Sequence, residues 1–360
     1  MNILYISPNF NFSCGVSKYV FSLLEHYSKQ TEYKIYFITN GGDAISKLNS
    51  IGVQPFIMKF NQGLANIKYI YSNLKELQRF CKENQIHIIH THHRYPELLS
   101  VLIARKLDIK TITTAHSIVE GHKLLSFKSD KIIAVSYAVK GNIVNSFHRP
   151  EKKITTIYNN LIPWQRPGGE QIELLKRDLN INEEDFVILF LGRINKFKGI
   201  DILINAFRKI KIDYPQIKLI VIGDILDRTY PKLNIGNEED IIHIEAKEDI
   251  TSFYEICDLV VLPSRQESFP YVMLEAGYVK KLLIASRTGG IAEFIVDGVN
   301  GVLFENGNYL DLADKIRYVI NNPEYARSVT EEMCKKVKKY CNFEEYLMRV
   351  GGIYKELLET

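Results

Sequence analysis

The sequence has no apolar run long enough to cross a membrane and no pattern of paired cysteines. No run reaches the roughly 18 apolar residues that a membrane-spanning helix needs. The start, MNILYISPNF, has neither a basic region nor a long apolar stretch, so we expect no signal peptide. Five scattered cysteines without a C-x-x-C pair predict reduced thiols rather than disulfides or a zinc site. These absences predict a cytoplasmic protein.

Motifs that would assign other kinds of chemistry are also missing. The sequence has neither G-x-G-x-x-G after a predicted strand nor G-x-x-x-x-G-K-[ST], which argues against a dinucleotide fingerprint and a P-loop. It also lacks the G-x-S-x-G elbow of many hydrolases. No D-x-D pair stands at the end of a predicted strand, so we expect no essential metal and no cofactor.

The charge is distributed unevenly along a chain of otherwise ordinary composition. The 360 residues are 46% hydrophobic and 24% charged, with a net charge of +4, as in a globular protein of two or three domains. Residues 1–160 contain 20 basic and 10 acidic side chains, and the remaining residues contain 26 and 32. Two interpretations stay open: ordinary surface composition, or contact between the N-terminal half and an anionic partner.

Short β-branched runs alternate with amphipathic stretches throughout, which predicts an α/β fold. Most runs are continuously apolar, as in parallel sheets that are buried on both faces. The segment NNLIPWQRPGGE interrupts the alternation, so we predict two doubly wound parallel-sheet domains, residues 1–162 and 163–342. Ligands of such sheets bind beyond the carboxyl ends of the strands, and we expect the active site in the cleft between the domains. The strand candidates are NILYIS, KIYFIT, IHIIHTH, TITTAH, KIIAVS and KITTIY in the first half, and FVILFLG, KLIVIGD, IIHIEA, LVVLPS, LLIAS and GVLFE in the second.

Two glutamates, Glu267 and Glu275, lie eight positions apart after the predicted strand DLVVLP. We expect Ser268 to cap a helix whose first turn contains Pro270. The N-terminal end of that helix would attract an anion, whereas the two carboxylates suit hydroxyl groups. A sugar, a diphosphate and a ribose side by side would satisfy all three demands. The alternative is a capping acid and a solvent-facing glutamate without any ligand.

A second loop, LGRINKFKGID, follows another predicted strand. Gly192 permits a tight turn, and Arg193 and Lys198 bring two cations near the carboxyl end of the strand. Cations in that position suit a diphosphate. A solvated basic loop is the alternative interpretation.

Taken in order, these segments resemble the motifs of the retaining GT-B glycosyltransferases of family 4 (glycosyl transferases group 1). NFSCGVSKYVFSLL is similar to the family's glycine loop, IIHTHH to its D-x-x-H-x-H strand end, and TTAHS to its x-x-x-H-[DS] element. DKIIAVSYAVK and IYNNLI resemble A-D-x-I-I-x-V-S and I-x-N-G-[VI]. GRINKFKGID and ESFPYVMLEA resemble G-R-x-x-x-x-K-G-x-[DE] and E-x7-E, and TGGIAEFIVDGVNGVLF resembles the segment that follows. The resemblance covers nearly the whole chain and implies two Rossmann-like domains facing across a cleft, with a C-terminal helix, about residues 343–360, packed on the first domain.

The resemblance implies roles in donor binding for the charged residues of the second domain. Glu275 would hold the ribose hydroxyls of a nucleotide-sugar, and Glu267 would contact hydroxyls of the donor sugar near its anomeric carbon. Arg193 and Lys198 would neutralise the diphosphate.

Backbone groups and one histidine complete the implied site. The backbone N–H groups of Phe269 and Tyr271 would add to the anion site, Gly15 would let the N-domain backbone approach the donor, and His116 would face the sugar from the N-domain side. The catalytic set is thus Glu267, His116, Lys198 and Arg193, without a metal.

The implied reaction is transfer of a hexose or N-acetylhexosamine, with retention, from a nucleotide-sugar, which we expect to be UDP-linked. The implied acceptor is a glycan or a lipid-linked molecule in bacterial surface polysaccharide synthesis. A same-face reaction and a covalent intermediate on Glu267 both stay open. A sugar-nucleotide epimerase and a non-catalytic nucleotide-sugar or glycan-binding protein are the rival functions.

The sequence departs from the family pattern at three places, and three histidines have no assigned role. Cys14 replaces a glycine of the glycine loop, Asn160 stands where glycine usually follows Asn159, and IGDI lacks a second glycine, which leaves the base site open. His90, His92 and His93 lie together, and we expect acceptor or structural contacts for them rather than zinc.

The basic N-terminal half predicts weak peripheral binding to an anionic membrane at the inner face of the plasma membrane. The candidate residues are Arg105, Lys106, Lys110, Lys123 and Lys128. No feature of the sequence indicates nucleic-acid binding. A soluble acceptor, with a basic face that only aids solubility, is the alternative.

Overall fold

The computed structural model of the chain describes residues 1–60, 65–161, 164–225 and 238–359. The chain divides into two compact units, Met1–Asn159 with Phe343–Thr360 (unit 1) and Asn160–Asn342 (unit 2). The division falls within the proline- and glycine-rich segment that interrupts the βα alternation. The predicted boundary itself, between residues 162 and 163, lies outside the described residues.

Unit 1 is built on a seven-stranded sheet in which every described pairing is parallel, with the order β3-β2-β1-β4-β5-β6-β7. Its strands are β1 (Asn2–Ile6), β2 (Lys34–Thr39), β3 (Pro55–Ile57), β4 (Ile88–Thr91), β5 (Lys110–Ala115), β6 (Lys131–Ala134) and β7 (Ile154–Thr156). Its first helices are α1 (Gly15–Ser28), α2 (Ser46–Asn49), α3 (Ala65–Glu83), α4 (Arg94–Leu107) and α5 (Tyr137–Phe147), with short 3₁₀ turns at Asp43–Ile45 and Glu151–Lys153.

The central strands of this sheet are buried on both faces, as their continuous apolar sequences predict. Residues 3–6 of β1 are fully buried, and Ile3 pairs with Ile88 of β4. The six predicted strands of the first half are all present, whereas β3 was not predicted. It is a three-residue edge strand that begins at Pro55, and proline is tolerated at an edge because it need not donate to a neighbour.

Unit 2 is built on a six-stranded parallel sheet with the order β10-β9-β8-β11-β12-β13. Its strands are β8 (Phe186–Leu191), β9 (Ile217–Ile222), β10 (Ile241–Ile244), β11 (Leu259–Leu262), β12 (Leu282–Ser286) and β13 (Val302–Phe304). Its helices are α6 (Gly169–Asp178), α7 (Ile200–Lys211), α8 (Thr251–Ile256), α9 (Tyr271–Tyr278), α10 (Gly289–Phe294), α11 (Tyr309–Asn321) and α12 (Pro323–Tyr340), with a 3₁₀ turn at Lys196–Lys198.

In both sheets the strand order reverses beside the first strand of the unit. In unit 1 the first crossover leads from β1 to β2, whereas the later strands lie on the other side of β1, beginning with β4. In unit 2 the same reversal occurs between the neighbouring strands β8 and β11. Loops leave such a switch point in opposite directions and open a crevice at the carboxyl ends of the strands.

The C-terminal helix α13 (Phe343–Glu359) belongs to unit 1 and is held there by tyrosines. The hydroxyl of Tyr354 lies 2.9 Å from that of Tyr5 and 2.7 Å from Nδ1 of His90. The hydroxyl of Tyr27 donates to the carbonyl of Leu347 at 2.8 Å. None of the helices in the described ranges is long and apolar enough to span a bilayer.

We expect unit 1 to lose stability as the pH falls below about 6.5, because His90 is buried in its neutral form. Its neighbours are Tyr5, His92, Thr114 and Tyr354, which offer no opposite charge. Burial lowers the pKa of His90 to about 3, whereas in the unfolded chain it is protonated below about 6.5. The contribution to stability is therefore complete above that pH and decreases towards pH 3, by about 1.4 kcal/mol per pH unit.

Urea unfolding of the wild type and of His90→Gln, compared between about pH 7 and pH 4, tests this expectation. The variant should show a shallower fall in the free energy of unfolding. The exposed His122 provides the matched control, and His122→Gln should keep the wild-type slope. Equal slopes for the wild type and His90→Gln would contradict the assignment.

Candidate active site

Two of the charged residues predicted in unit 2, Lys198 and Glu267, meet at its strand switch point. Lys198 lies in the loop after β8, and Glu267 lies in the loop after β11. The two strands are neighbours, with Leu259 paired to Ile188. The ammonium group of Lys198 forms an ion pair with Oε1 of Glu267, a contact that the sequence did not predict.

The Lys198 loop has a fixed backbone. The side chain of Asn195 accepts a hydrogen bond from the N–H of Lys198 at 3.0 Å, and this closes the 3₁₀ turn. Gly199 follows with a φ of 67°, and a Cβ there would overlap the carbonyl oxygen of Pro263. Only glycine fits this position, because the loop after β8 touches the end of β11.

A serine holds the side chain of Glu267 in addition to its contact with Lys198. The hydroxyl of Ser264 donates to Oε1 of Glu267 at 2.9 Å, and the hydroxyl of Ser286 in turn donates to the carbonyl of Ser264. The side chains of Glu267 and Lys198 are 11% and 25% exposed, so the pair can be reached from solvent. It is a charged pair at a crevice, not a buried structural ion pair.

Arg193 lies in the same loop as Lys198 and is exposed. It makes no ion pair with any residue in the described parts of the chain. Its guanidinium group is therefore exposed near the carboxyl edge of the sheet, and its role in binding a diphosphate stays a prediction.

Helix α9 begins two residues later than the sequence predicted. Pro270 is its N-cap, with extended backbone (φ −74°, ψ 137°), so Ser268 is not the cap and Pro270 is not in the first turn. Tyr271 is the first helical residue. The ring of the buried Phe269 packs edge-on against Phe294, with ring centroids 5.5 Å apart. The backbone groups of Phe269 and Tyr271 thus lie at the N-terminal end of α9.

Glu275 lies in the second turn of α9 and is only 3% exposed. Its Oε2 accepts a hydrogen bond from the hydroxyl of the fully buried Tyr254 at 2.7 Å. Burial, and then the charge of Glu275, raise the pKa of Tyr254 well above its ordinary value, so the tyrosine stays a donor. The alternative of a solvent-facing glutamate at this position is wrong.

Sequence reasoning missed Arg265 and Asp201, which join the two loops. The guanidinium of Arg265 donates to both carboxylate oxygens of Asp201, at 2.7 and 2.6 Å. Its backbone N–H donates to the carbonyl of Phe197 at 2.8 Å. A bidentate pair of this kind fixes geometry as well as charge. Asp201 ends the motif GRINKFKGID and Arg265 lies just before ESFPYVMLEA, but no spacing rule indicates that they pair.

Gly15 and His116 belong to unit 1. Gly15 is exposed and begins α1, whose N-cap is Cys14 without a side-chain hydrogen bond. His116 follows β5 and is half-buried, with its Nε2 3.0 Å from Nδ1 of His92. Burial, and then the neighbouring His93 and His90, lower the pKa of His116 well below its ordinary value. His116 is therefore neutral near pH 7.

Three histidines of unit 1, His90, His92 and His116, lie together and take part in hydrogen bonds. Both ring nitrogens of His90 are engaged, Nδ1 with the Tyr354 hydroxyl and Nε2 with the Thr114 hydroxyl at 2.8 Å. In the parts of the chain that the structure describes, no group of three or more His, Cys, Asp or Glu residues has the arrangement of a metal site. Of the acceptor or structural contacts expected for His90, these contacts agree with the structural alternative.

Two kinds of similarity relate the chain to glycosyltransferases. An uncharacterized glycosyltransferase of Methanocaldococcus jannaschii is 28% identical over 99% of both chains. The capsular polysaccharide biosynthesis glycosyltransferase CapM of Staphylococcus aureus is 29% identical over 66% of this chain and 64% of its own. The solved structure of Anabaena Alr3699/HepE with UDP-glucose has a TM-score of 0.86 and 19% identity, over 99% of this chain and all of that one. The predicted GT-B fold class is thereby confirmed.

Family models account for both units. The model described as Glycosyltransferase Family 4 matches residues 14–160, and the model described as Glycosyl transferases group 1 matches residues 171–337. The chain therefore belongs to the group 1 glycosyltransferases of family 4, and it is a transferase enzyme, as the motifs predicted.

The Arg265–Asp201 pair should affect activity through the position of the two loops. Arg265→Gln and Asp201→Asn are each expected to lower kcat/KM about three- to tenfold, and the double variant should be no worse than either single variant. Nucleotide release from a nucleotide-sugar is measured for the wild type, the two single variants and the double variant. The comparison gives the coupling free energy between Arg265 and Asp201.

Arg317 supplies the control, because its ion pair with Asp213 at 2.9 Å is also partly exposed and lies on other elements. Arg317→Gln should leave kcat/KM unchanged. Additive losses from Arg265→Gln and Asp201→Asn, or no loss at all, would refute the role of the pair.

Proposed function

We propose that the protein transfers a hexose or N-acetylhexosamine, with retention, from a UDP-linked sugar to a glycan or lipid-linked acceptor. The observation that carries the proposal is the pair of Lys198 and Glu267 at the strand switch point of unit 2. The complex of Alr3699/HepE with UDP-glucose supports a UDP-linked donor, and the capsular polysaccharide role of CapM supports a surface glycan as the product.

The donor diphosphate is assigned to Lys198 and Arg193, with the N-terminal end of α9 beside them. Two cations and a helix N-terminus stabilise an anion that would otherwise lose its hydration. In the donor-free protein Glu267 neutralises Lys198. A bound diphosphate offers Lys198 a second anionic partner, so that Glu267 becomes available for sugar hydroxyls.

Glu275 is assigned to the ribose. Its carboxylate is buried and oriented by Tyr254, and carboxylate oxygens accept hydrogen bonds from hydroxyl groups. Ribose hydroxyls are such donors. Because ribose contacts are similar in the ground state and the transition state, Glu275 should contribute to KM more than to kcat.

The proposed chemistry separates charge at the anomeric carbon. The bond between this carbon and the phosphate oxygen breaks, and its electron pair stays with the leaving diphosphate. Fixed cations that are already in place stabilise that developing charge. The acceptor hydroxyl then forms the new bond on the same face and gives its proton to the departing phosphate. A covalent sugar intermediate on Glu267 remains the alternative route to retention.

Two rival functions can be separated from transfer by their products. An epimerase would release free or epimerised sugar without any acceptor, and a binding protein would release nothing. The ion pair of Lys198 with Glu267 at a solvent-accessible crevice favours catalysis, because binding alone does not require a carboxylate in contact with the phosphate-binding cation.

Incubation with a panel of nucleotide-sugars tests the proposal. We expect slow UDP release from one UDP-sugar, acceleration by an acceptor glycan, and an anomeric signal in the NMR spectrum of the product with the configuration of the donor. Release of an epimerised sugar, an inverted product, or turnover of only non-uridine donors would each contradict part of it.

We propose that no metal is required, because Lys198, Arg193 and the helix end supply the positive charge that a metal would bring to the diphosphate. EDTA should therefore leave kcat unchanged for the preferred donor. Loss of activity on chelation, with recovery on addition of Mn²⁺ or Mg²⁺, would contradict the proposal.

A loop of unit 1 combines basic and apolar side chains on the surface. Leu124 and Leu125 are 83% and 50% exposed, between the exposed Lys123 and Lys128. The buried carboxylate of Glu97 holds the loop, because it accepts hydrogen bonds from the backbone N–H groups of residues 127–129 at 2.6 to 3.1 Å. Such a loop suits an anionic membrane that contains a lipid-linked acceptor.

Weak binding to anionic vesicles is expected, because four or five basic residues near an anionic surface contribute about 1 kcal/mol each. Cosedimentation should decrease steeply with salt as the Debye length falls from about 10 Å at 0.1 M to about 3 Å at 1 M. Replacing Leu124 and Leu125 with serine should weaken binding, whereas Leu310→Ser, at an exposed leucine of unit 2, should not. Equal binding to neutral and anionic vesicles at low salt would exclude this membrane contact.

A further inference from the structure

His92 is an almost fully buried histidine that is in direct contact with His116. It follows β4, is 3% exposed, and brings its Nδ1 to within 3.0 Å of Nε2 of His116, which follows the neighbouring strand β5. The other ring nitrogen of His92, Nε2, is buried and has no hydrogen-bond partner among the residues that the structure describes.

The surrounding rings prevent His92 from turning. Tyr5 lies parallel to it at 6.3 Å between centroids, His90 lies at 4.4 Å, and Tyr19 meets it edge-on at 5.6 Å. His90 itself is fixed through both of its nitrogens. The orientation of His92, and therefore the direction of its Nδ1, is set by the core of unit 1.

The hydrogen bond between His92 and His116 involves a single N–H donor. Burial, followed by the neighbouring histidines, lowers the pKa of His92 and of His116 well below the ordinary value, so both rings are neutral near pH 7. A neutral imidazole has one N–H, and the hydrogen bond needs one donor and one acceptor. Whichever ring donates, the tautomer of the other is then determined.

The unpartnered nitrogen decides between the two arrangements. If His116 donated, the proton of His92 would be on its buried Nε2, as an N–H without an acceptor. Buried N–H groups without a partner are rare in proteins, because they lose a strong hydrogen bond to water. If His92 donates, its Nε2 carries only a lone pair, and His116 carries its proton on Nδ1.

We propose that His92 is a positioning residue that donates its Nδ1–H to Nε2 of His116 and so fixes His116 as the tautomer with its proton on Nδ1. His116 then presents an N–H donor, which suits a hydroxyl oxygen of the donor sugar. This consequence rests on the proposed function, whereas the tautomer itself is a property of unit 1 without substrate.

The tautomer can be measured directly in the wild-type enzyme. A long-range ¹H–¹⁵N correlation spectrum of protein with ¹⁵N-labelled histidine, recorded near neutral pH without a donor, should show His116 protonated at Nδ1. The spectra of His92→Phe and His116→Phe assign the two rings. In His92→Phe, His116 should become a mixture of tautomers. Protonation of His116 at Nε2 in the wild type would overturn the proposal.

A matched pair of variants tests the effect on the reaction. The side-chain amide nitrogen of asparagine is the same number of bonds from the backbone as Nδ1 of histidine. The amide nitrogen of glutamine is the same number of bonds from the backbone as Nε2. His92→Asn should keep kcat within about threefold of the wild type, and His92→Gln should lower it about tenfold, with less than about a twofold change in the donor KM. Equal losses in the two variants would also overturn the proposal.

The inferred tautomer of His116 and its assigned role in transfer can be refuted separately. If His116 is protonated at Nδ1 but His116→Ala leaves transfer unchanged, the inferred tautomer stands and the assigned role of His116 fails. If His116→Ala abolishes transfer but the ring is protonated at Nε2, the role stands and the inference about His92 fails. Should the His92 variants not fold, the wild-type spectrum alone decides.

Discussion

The ion pair between Lys198 and Glu267 is the constraint on which the candidate site depends. It exists because β8 and β11 are neighbours in the sheet although they are far apart in the chain, so that their loops meet where the strand order reverses. The ion pair of Arg265 with Asp201 and the glycine at position 199 keep these loops at a fixed distance. A cation and a carboxylate held in this way can bind a diphosphate and a sugar, respectively, without rearrangement of the backbone.

The polar groups at the switch points of the two units differ in charge and in burial. Unit 2 presents charged groups at an accessible crevice, where they can be neutralised by a ligand. Unit 1 buries neutral histidines among tyrosines, and the same cluster holds α13 through Tyr354. Burial keeps these histidines uncharged, which makes their hydrogen bonds directional and ties the state of His116 to the packing of the unit.

Much of this structure could be predicted from local sequence. Continuous apolar runs predicted all but one of the strands in the described ranges, because a strand buried on both faces has few alternatives. The edge strand β3 was missed because it has three residues and begins with a proline. Lys198 and Glu267 were predicted as site residues from motifs, but their contact was not predicted, since it follows from strand order rather than spacing. The pairing of Arg265 with Asp201, of Glu275 with Tyr254 and of His92 with His116 is likewise a tertiary property that no periodicity encodes.

Calorimetric titration with UDP is the most direct test of the switch point as the diphosphate site. For Lys198→Met we expect at least about tenfold weaker binding of UDP than in the wild type, since a charge-assisted hydrogen bond contributes about 1.5–3 kcal/mol, while the affinity for uridine, which has no phosphate, stays the same. For Glu267→Gln we expect UDP binding as strong as in the wild type or stronger, because the carboxylate that competes for Lys198 is gone. Unchanged affinity of Lys198→Met for UDP would show that the switch point does not bind the diphosphate.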